Sequence, residues 1–333
     1  MGEARFRVAQ AGPLVAFQDH GRPGMMRFGV TRSGPMDRLA HAAANRALGR
    51  EADGVAVEIS LGGLTLDCVA GRVSVAVAGG GFVVDHAGNR SGSWRLLTIE
   101  AGERLSIRPG HWGSWCYLAF AGDVDCGHWL GSAATHSMSG QGGGRLKAGD
   151  ELVVRDAGTR APVRLPCPVF ARPLHRLAVV PGPQDHQFRP EALPTLLSAP
   201  WRVSSAYDRM GMRLEGPPLA LADALSIPSE GIVAGSVQVS GDGVPTLLLR
   251  DHQTTGGYPK IATVLECDLD RAAQLRPRER VGFVAVTPSQ AIARARRHAA
   301  LRDAWLDHLA GDQRVESILG DQPRVRGCPR QRG

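Results

Sequence analysis

The chain has 333 residues, 42 of them Gly and 22 Pro, with 43% hydrophobic residues and a formal net charge of +7. The hydrophobic content excludes a disordered chain, and glycines without a three-residue period exclude collagen. The length suggests two domains, and from residue 291 onward nine Arg against five acidic residues place +4 of the +7 in a basic tail.

In chain order, short segments of strand character recur: Val55–Ser60, Arg72–Ala78, Arg104–Arg108, Trp115–Phe120, Glu151–Arg155, Arg176–Pro181, Thr246–Arg250 and Arg280–Val286. Each is rich in Val, Leu or Ile and bounded by Gly, Pro or Asp, a spacing of barrels or sandwiches more than of βαβ units. Asp242-Gly243 between Val237–Ser240 and Thr246–Arg250 signals a hairpin. Helices are few. Gly34-Pro35-Met36-Asp37 opens one, with Pro at its first position and an apolar face of Met36, Leu39, Ala40, Ala43, Ala44, Ala47 and Leu48. Asp268–Leu275 and Pro288 to about Ala310 are the other candidates. The Pro-rich stretch Asp156–Pro173 is the best boundary. It divides the chain into 1–165, 166–287, and a helix with a basic tail over 288–333, the tail expected to be disordered.

Cys68, Cys116, Cys126, Cys167, Cys267 and Cys328 show neither C-x-x-C nor zinc-ligand spacing, so no metal site is expected and the thiols read as free, as in a reducing compartment. Met1–Gln10 is polar and lacks a signal-peptide core. No apolar run nears the ~18 residues of a membrane span. The body of the chain has no basic face interleaved with aromatics. The expectation is a cytoplasmic protein with no nucleic-acid or membrane partner.

No P-loop, no G-x-S-x-G elbow, no H-E-x-x-H and no dinucleotide fingerprint occurs. Four polar clusters stand out instead. In Gln18-Asp19-His20-Gly21-Arg22-Pro23-Gly24, an acid, an amide and an Arg on one turn suit a carboxylate or phosphate; an Asp–Arg pair that stiffens the turn fits equally. In Ser33-Gly34-Pro35-Met36-Asp37, continuing to Asn45, either an anion at a helix N-terminus or simple helix capping fits. Ser204-Ser205-Ala206-Tyr207-Asp208-Arg209-Met210-Gly211 offers a donor, a base and an anion clamp, or a structural ion pair. The last cluster, Asp251-His252-Gln253-Thr254-Thr255-Gly256-Gly257-Tyr258-Pro259-Lys260, is the strongest ligand-site candidate. Its amide, hydroxyls and paired glycines give donors with close backbone approach, and Lys260 adds a point charge.

At these clusters the sequence resembles the family variously called allophanate hydrolase subunit 2, KipA-like proteins or the C subunit of 5-oxoprolinase, to which part of the carboxyltransferase domain of urea carboxylase also belongs. The matching stretches are the first two clusters, Asp208-Arg209-Met210-Gly211 of the third and Gln253–Lys260 of the fourth, with Gly29-Val30, Ala44-Asn45, Val57-Glu58, Tyr117-Leu118-Ala119, Gly131-Ser132, Leu146-Lys147-Ala148-Gly149-Asp150 and Ser229-Glu230-Gly231. The chain departs from the family pattern at Ala133-Ala134-Thr135 and at His252. The resemblance implies a mainly β protein with few helices, built as two cyclophilin-like β-barrel domains plus a C-terminal helix. It also implies partners: a KipI-like B subunit (allophanate hydrolase subunit 1) together with a LamB/YcsF-like A subunit. The expected catalytic residues are Asp19, Tyr207, Asp208, Gln253 and Tyr258. Gln18, Arg22, Ser33, Asp37, Asn45, Arg209, Thr254, Thr255, Gly256, Gly257 and Lys260 are expected to bind substrate or an anion.

Three functions follow from the resemblance. The first is the C subunit of an ATP-dependent 5-oxoprolinase, with ATP used by the complex because this chain has no motif for it. The second is half of a biotin-dependent carboxyltransferase acting on urea or another small amide. The third is a non-enzymatic KipA-like protein that relieves a KipI-type inhibitor of a histidine kinase. Ser204-Ser205 with Lys260 gives no spacing that supports Ser-Ser-Lys amidase chemistry.

Overall fold

Ala4, Phe6 and Val8 are buried while Glu3, Arg5 and Arg7 are exposed, so the first strand, Gly2–Ala11, has one face in the core and one in water. In the computed structural model, which describes residues 2–222 and 227–311, this strand is the centre of the first half of the molecule. It pairs antiparallel with both Leu64–Ala70 and Glu151–Ala157, the latter far along the chain. The resulting seven-stranded sheet runs Asp123–Val124, Glu151–Ala157, Gly2–Ala11, Leu64–Ala70, Arg104–Arg108, Val83–His86, Asn89–Gly92.

A second, six-stranded sheet runs Val163–Arg164, Arg95–Glu100, Arg72–Gly79, Cys116–Phe120, Ala56–Ile59, Ala16–Gln18. Its central strands are buried on both faces, which is why they read as continuous apolar runs rather than alternating ones. Val73, Val75, Val77, Leu118 and Phe120 face the first sheet and share a core with Phe6 and Leu66. The alternate residues Ala76, Ala78, Tyr117 and Ala119 face the other way, into a second core.

That second core joins the two halves. Helix α1 (Arg38–Ala47) lies on it with Leu39, Ala40, Ala43 and Ala44 buried, small side chains that let the helix sit close to Ala76 and Ala78. Val203, Leu214, Val237, Leu247 and Phe283 of the second half belong to the same cluster. The helix begins three residues later than its sequence suggests. Asp37 is its N-cap: the carboxylate accepts the Ala40 amide at 2.9 Å, so Pro35 and Met36 precede the helix.

The second half is a closed seven-stranded barrel ordered Arg176–Pro181, Lys260–Val264, Ser236–Val239, Pro245–Leu248, Gly211–Glu215, Trp201–Tyr207, Arg280–Ala285. Parallel pairing of its first and last strands, Arg176 opposite Gly282, closes it. The hairpin signalled by Asp242-Gly243 is present, with Val239 opposite Pro245. Helix α2 (Ala192–Ser198), not evident in the sequence, buries Ala192 and Leu196. Helix α3 (Glu266–Ala273) and the long α4 (Pro288–Gly311) complete the fold. Trp305 of α4 meets Trp94 and Phe170 edge to face, at 6.0 and 6.2 Å between centroids. The mainly β reading with few helices, a barrel and a C-terminal helix stands. The basic tail lies outside the described residues. No described helix is long and apolar enough to cross a membrane, and the five cysteines within the described residues are free.

Candidate functional site

The four polar clusters converge on the junction of the two halves and on the outer surface of the barrel, but they differ in what their polar atoms touch. Arg209 is buried at the junction. Its guanidinium grips Asp251 through Nε (2.8 Å) and Nη2 (3.0 Å), pairs with Glu58 through Nη1, and donates to the Gly34 carbonyl at 2.7 Å. Glu58 in turn accepts the Tyr117 hydroxyl (2.7 Å) and the Met36 amide (2.8 Å), and Tyr117 accepts the Asp37 amide (2.8 Å). Burial alone would raise the Asp251 carboxyl; the Arg209 charge and hydrogen bonds outweigh it and hold the group below its ordinary value.

Next to this network Gln274 reaches across the junction, donating to Asp37 (2.7 Å) and to the Trp115 carbonyl (3.0 Å). Asp37 is buried and lies near Asp270, and burial first, then that neighbouring charge, pushes its carboxyl up to about 7. Asp270 is instead held low, because Arg38 and Arg250 offset its burial.

Asp19 is likewise occupied. Its carboxylate accepts the amides of Gly21 (2.9 Å), Ala133 (2.7 Å) and Ala134 (3.2 Å) and the Ser132 hydroxyl (2.5 Å). Arg22 donates to the carbonyls of Trp129 (2.8 Å), Ser132 (3.4 Å) and Ala134, and stacks on Trp129 with 4.7 Å to the ring centroid. The 18–22 turn thus clamps the 129–135 loop. Gln18 donates to the Thr135 carbonyl at 3.1 Å, and Asn45 to the carbonyls of His41 (3.3 Å) and Gly54 (3.0 Å). Ser33 is buried, and its hydroxyl has no partner among the described residues.

The barrel surface is different. Tyr207, Asp208, Gln253 and Tyr258 line one open cleft of about 560 Å³, together with Gly211, Arg213, Gln238 and Ser240. Four of the five residues expected to be catalytic are therefore brought together, and Asp19 lies apart. Within the cleft Asp208 turns one oxygen, Oδ1, to the amides of Met210 (2.7 Å) and Gly211 (3.2 Å), leaving Oδ2 free of protein partners among the described residues. Tyr258 is 45% exposed. Tyr207 contributes its ring edge only. Its hydroxyl points away, bonded to the Trp115 indole (2.7 Å) and the Ala273 carbonyl, and burial raises its pKa.

Gln238 was not singled out by sequence reasoning, yet it organises the cleft. It accepts the Gln253 amide at 3.1 Å and donates to the Tyr258 carbonyl at 3.2 Å. The signal was there in principle: a Gln between Val237 and Val239 on a strand buried throughout. The Thr254–Gly257 loop is held as a short strand, Glu230 opposite Gly256 and Gly231 opposite Thr255, while Ile232 donates to Thr254 and Ile227 to Gly257. A Cβ at Gly256 would push on the tip of Ile232, 2.5 Å away at Cδ1, and one at Gly257 would lie 2.9 Å from the Ile227 backbone carbonyl oxygen. Lys260, expected as a free point charge, is buried and paired with Glu230.

The cleft is thus lined by two carboxamides, a phenol and a carboxylate with a free oxygen. Its one lining cation among the described residues, Arg213, pairs with Asp242. Such a surface suits a neutral group that both donates and accepts, such as an amide, a lactam or a ureido group.

This chain belongs to the carboxyltransferase-domain family, subdomains A and B, whose model matches residues 28–285. Within that family it is 34% identical over 294 residues to the 5-oxoprolinase C subunit of Escherichia coli K12, covering 86% of this chain and 93% of the relative. The protein of the same name from Haemophilus influenzae is also 34% identical, over 89% of this chain and 94% of its own length. The solved structure of Kluyveromyces lactis urea amidolyase superimposes with a TM-score of 0.82 at 26% identity, over 92% of this chain and 20% of that one.

Proposed function

We propose that the chain is the C subunit of an ATP-dependent 5-oxoprolinase, which opens the lactam of 5-oxo-L-proline to L-glutamate. The observation that carries this reading is the extent of the likeness: it runs over nearly the whole of both chains for the two bacterial 5-oxoprolinase proteins, whereas the urea amidolyase match takes in a fifth of that protein. The proposed partners are a KipI-like B subunit, with a LamB/YcsF-like A subunit, in the cytoplasm.

The barrel cleft supports the substrate side of this reading. A lactam has one N–H donor and one carbonyl acceptor, and Asp208 Oδ2 with the carboxamide of Gln253 or the hydroxyl of Tyr258 matches that pair. A lactam is a poor electrophile, and phosphorylation of its oxygen by ATP supplies the activation. The cleft does not fit a triphosphate, because its only lining cation among the described residues is already paired with Asp242. In this proposal ATP is bound by a partner, and the residues of this chain bind and orient the lactam. The test is to combine this chain with its two partners and measure ATP-dependent glutamate release from 5-oxo-L-proline. Activity that falls at least about tenfold in Gln253→Ala supports the reading; no activity from a folded ternary complex overturns it.

A second reading has its own support in the urea amidolyase likeness. The same donors would hold the ureido oxygen of a carboxylated biotin, as half of a carboxyltransferase. Avidin separates the two, since it abolishes activity only in a biotin-dependent system.

A further inference from the structure

A second cavity, of about 460 Å³, lies between the two halves and shares no lining residue with the barrel cleft. Arg32 and Ser33 come to it from the first half, and Arg250 and His252 from the second. Ser33 is only 2% exposed, its hydroxyl has no partner among the described residues, and its φ of 56° places a non-glycine residue in the left-handed region. A buried hydroxyl without a partner costs free energy unless something else occupies its place. Ser33 is also fixed relative to Arg250: the Ser33 amide donates to Thr31 Oγ1 (3.3 Å), which donates to the Arg250 carbonyl (3.0 Å).

The charge on this wall is not balanced. Arg250 gives Nη2 to Asp270 at 3.0 Å, while its Nε and Nη1 make no hydrogen bond among the described residues. Glu266, the one carboxylate lining the cavity, is taken by Arg38, which also pairs with Asp270 at 2.9 Å. Arg38 and Arg250 share the two carboxylates, and Arg32, which also lines the cavity, pairs with neither. Burial, and then the Arg38 charge, pulls Arg250 down to about 10 against the opposing pull of Asp270 and Glu266. His252 is kept neutral by burial and adds no further charge. Apart from Thr263 the remaining lining residues are apolar, Val180 and Leu265 among them.

We infer that this cavity binds a small organic carboxylate with a compact apolar body. Its carboxylate takes the free donors of Arg250 and the Ser33 hydroxyl, Arg32 closes the mouth, and the body lies against Val180 and Leu265. The volume is that of a small-molecule site. The site is independent of the barrel cleft and of the reaction proposed for it, because a carboxylate without any amide satisfies it.

Calorimetric titration of the full chain with cyclopentanecarboxylate, which has a ring carboxylate and no lactam, tests the assignment. Inorganic phosphate is titrated in parallel. Binding of cyclopentanecarboxylate is expected, with Arg32→Ala weakening it about tenfold and Ser33→Ala about threefold. Ala291→Phe, which places a ring in the cavity wall from α4, is expected to abolish it, and circular dichroism checks that each variant is folded. Gln253→Ala, in the cleft, is expected to leave the affinity unchanged. Absence of binding, binding of phosphate alone, or loss of binding in Gln253→Ala with retention in the three cavity variants would each overturn the assignment.

Discussion

The Arg209 junction and the barrel cleft are built from the same kinds of residue, and they differ in whether those residues have anything left to give. In the Arg209 network every carboxylate and guanidinium is answered within the chain. Arg209 meets two carboxylates and a carbonyl, and Asp19 meets four donors. At the cleft Asp208 keeps an oxygen free and Tyr258 stands in solvent. A polar cluster in a sequence therefore marks a place where burial must be reconciled with hydrogen bonding. Only the count of unspent donors and acceptors separates mortar from a binding surface.

The sharpest way to break this comparison is to remove the guanidinium at the junction. Arg209→Met leaves Glu58 and Asp251 buried without their cation and is expected to cost about 3–5 kcal/mol in urea unfolding. A loss under about 1 kcal/mol would mean the junction is not mortar.

Next in size is a pH effect confined to the junction. The Asp37 carboxyl is raised in the folded chain, to about 7 from an ordinary value near 3.8. The folded state therefore holds this proton more tightly than the unfolded chain does. Its contribution is greatest below about pH 4 and is lost as pH rises through about 7, at no more than ~1.4 kcal/mol per pH unit. Asp37→Asn keeps a capping side chain and removes the titrating group, so the variant is expected to lose this fall in stability between about pH 4 and 7. An unchanged slope, measured by denaturation at each pH, would place the titration elsewhere.

The smallest expected effect is at the cleft. Tyr258→Phe removes an exposed hydroxyl and is expected to leave the unfolding free energy within about 0.5 kcal/mol of the parent. Substrate binding by the assembled complex should nonetheless weaken severalfold. A stability loss comparable to that of Arg209→Met would erase the distinction between the two regions.

Much of the fold was legible from local pattern. The strands Arg104–Arg108 and Arg176–Pro181 and the Asp242-Gly243 hairpin lie where periodicity and turn chemistry place them. The first strand was passed over because Gly2–Ala11 is polar in composition, although Ala4, Phe6 and Val8 alternate into the core. Its partner Glu151–Ala157 could not be read at all, since nothing local specifies a pairing across so much chain. The site was legible to the same depth. The Gln253–Lys260 segment was recognisable by its residue types, whereas Gln238, which positions Gln253, was hidden inside an apolar strand.

By itself, then, the sequence determined the mainly β character, the long helix from Pro288, and the segments in which polar chemistry is concentrated, because each depends on neighbours within a few residues. It also carried the family. Only the tertiary structure decided which polar atoms are consumed. Arg209 reaches Glu58 at a separation of 151 residues, and Gln274 reaches Asp37 at 237. The glycines and charges of the two regions look alike along the chain, and they acquire different roles because folding supplies partners to one set and solvent to the other.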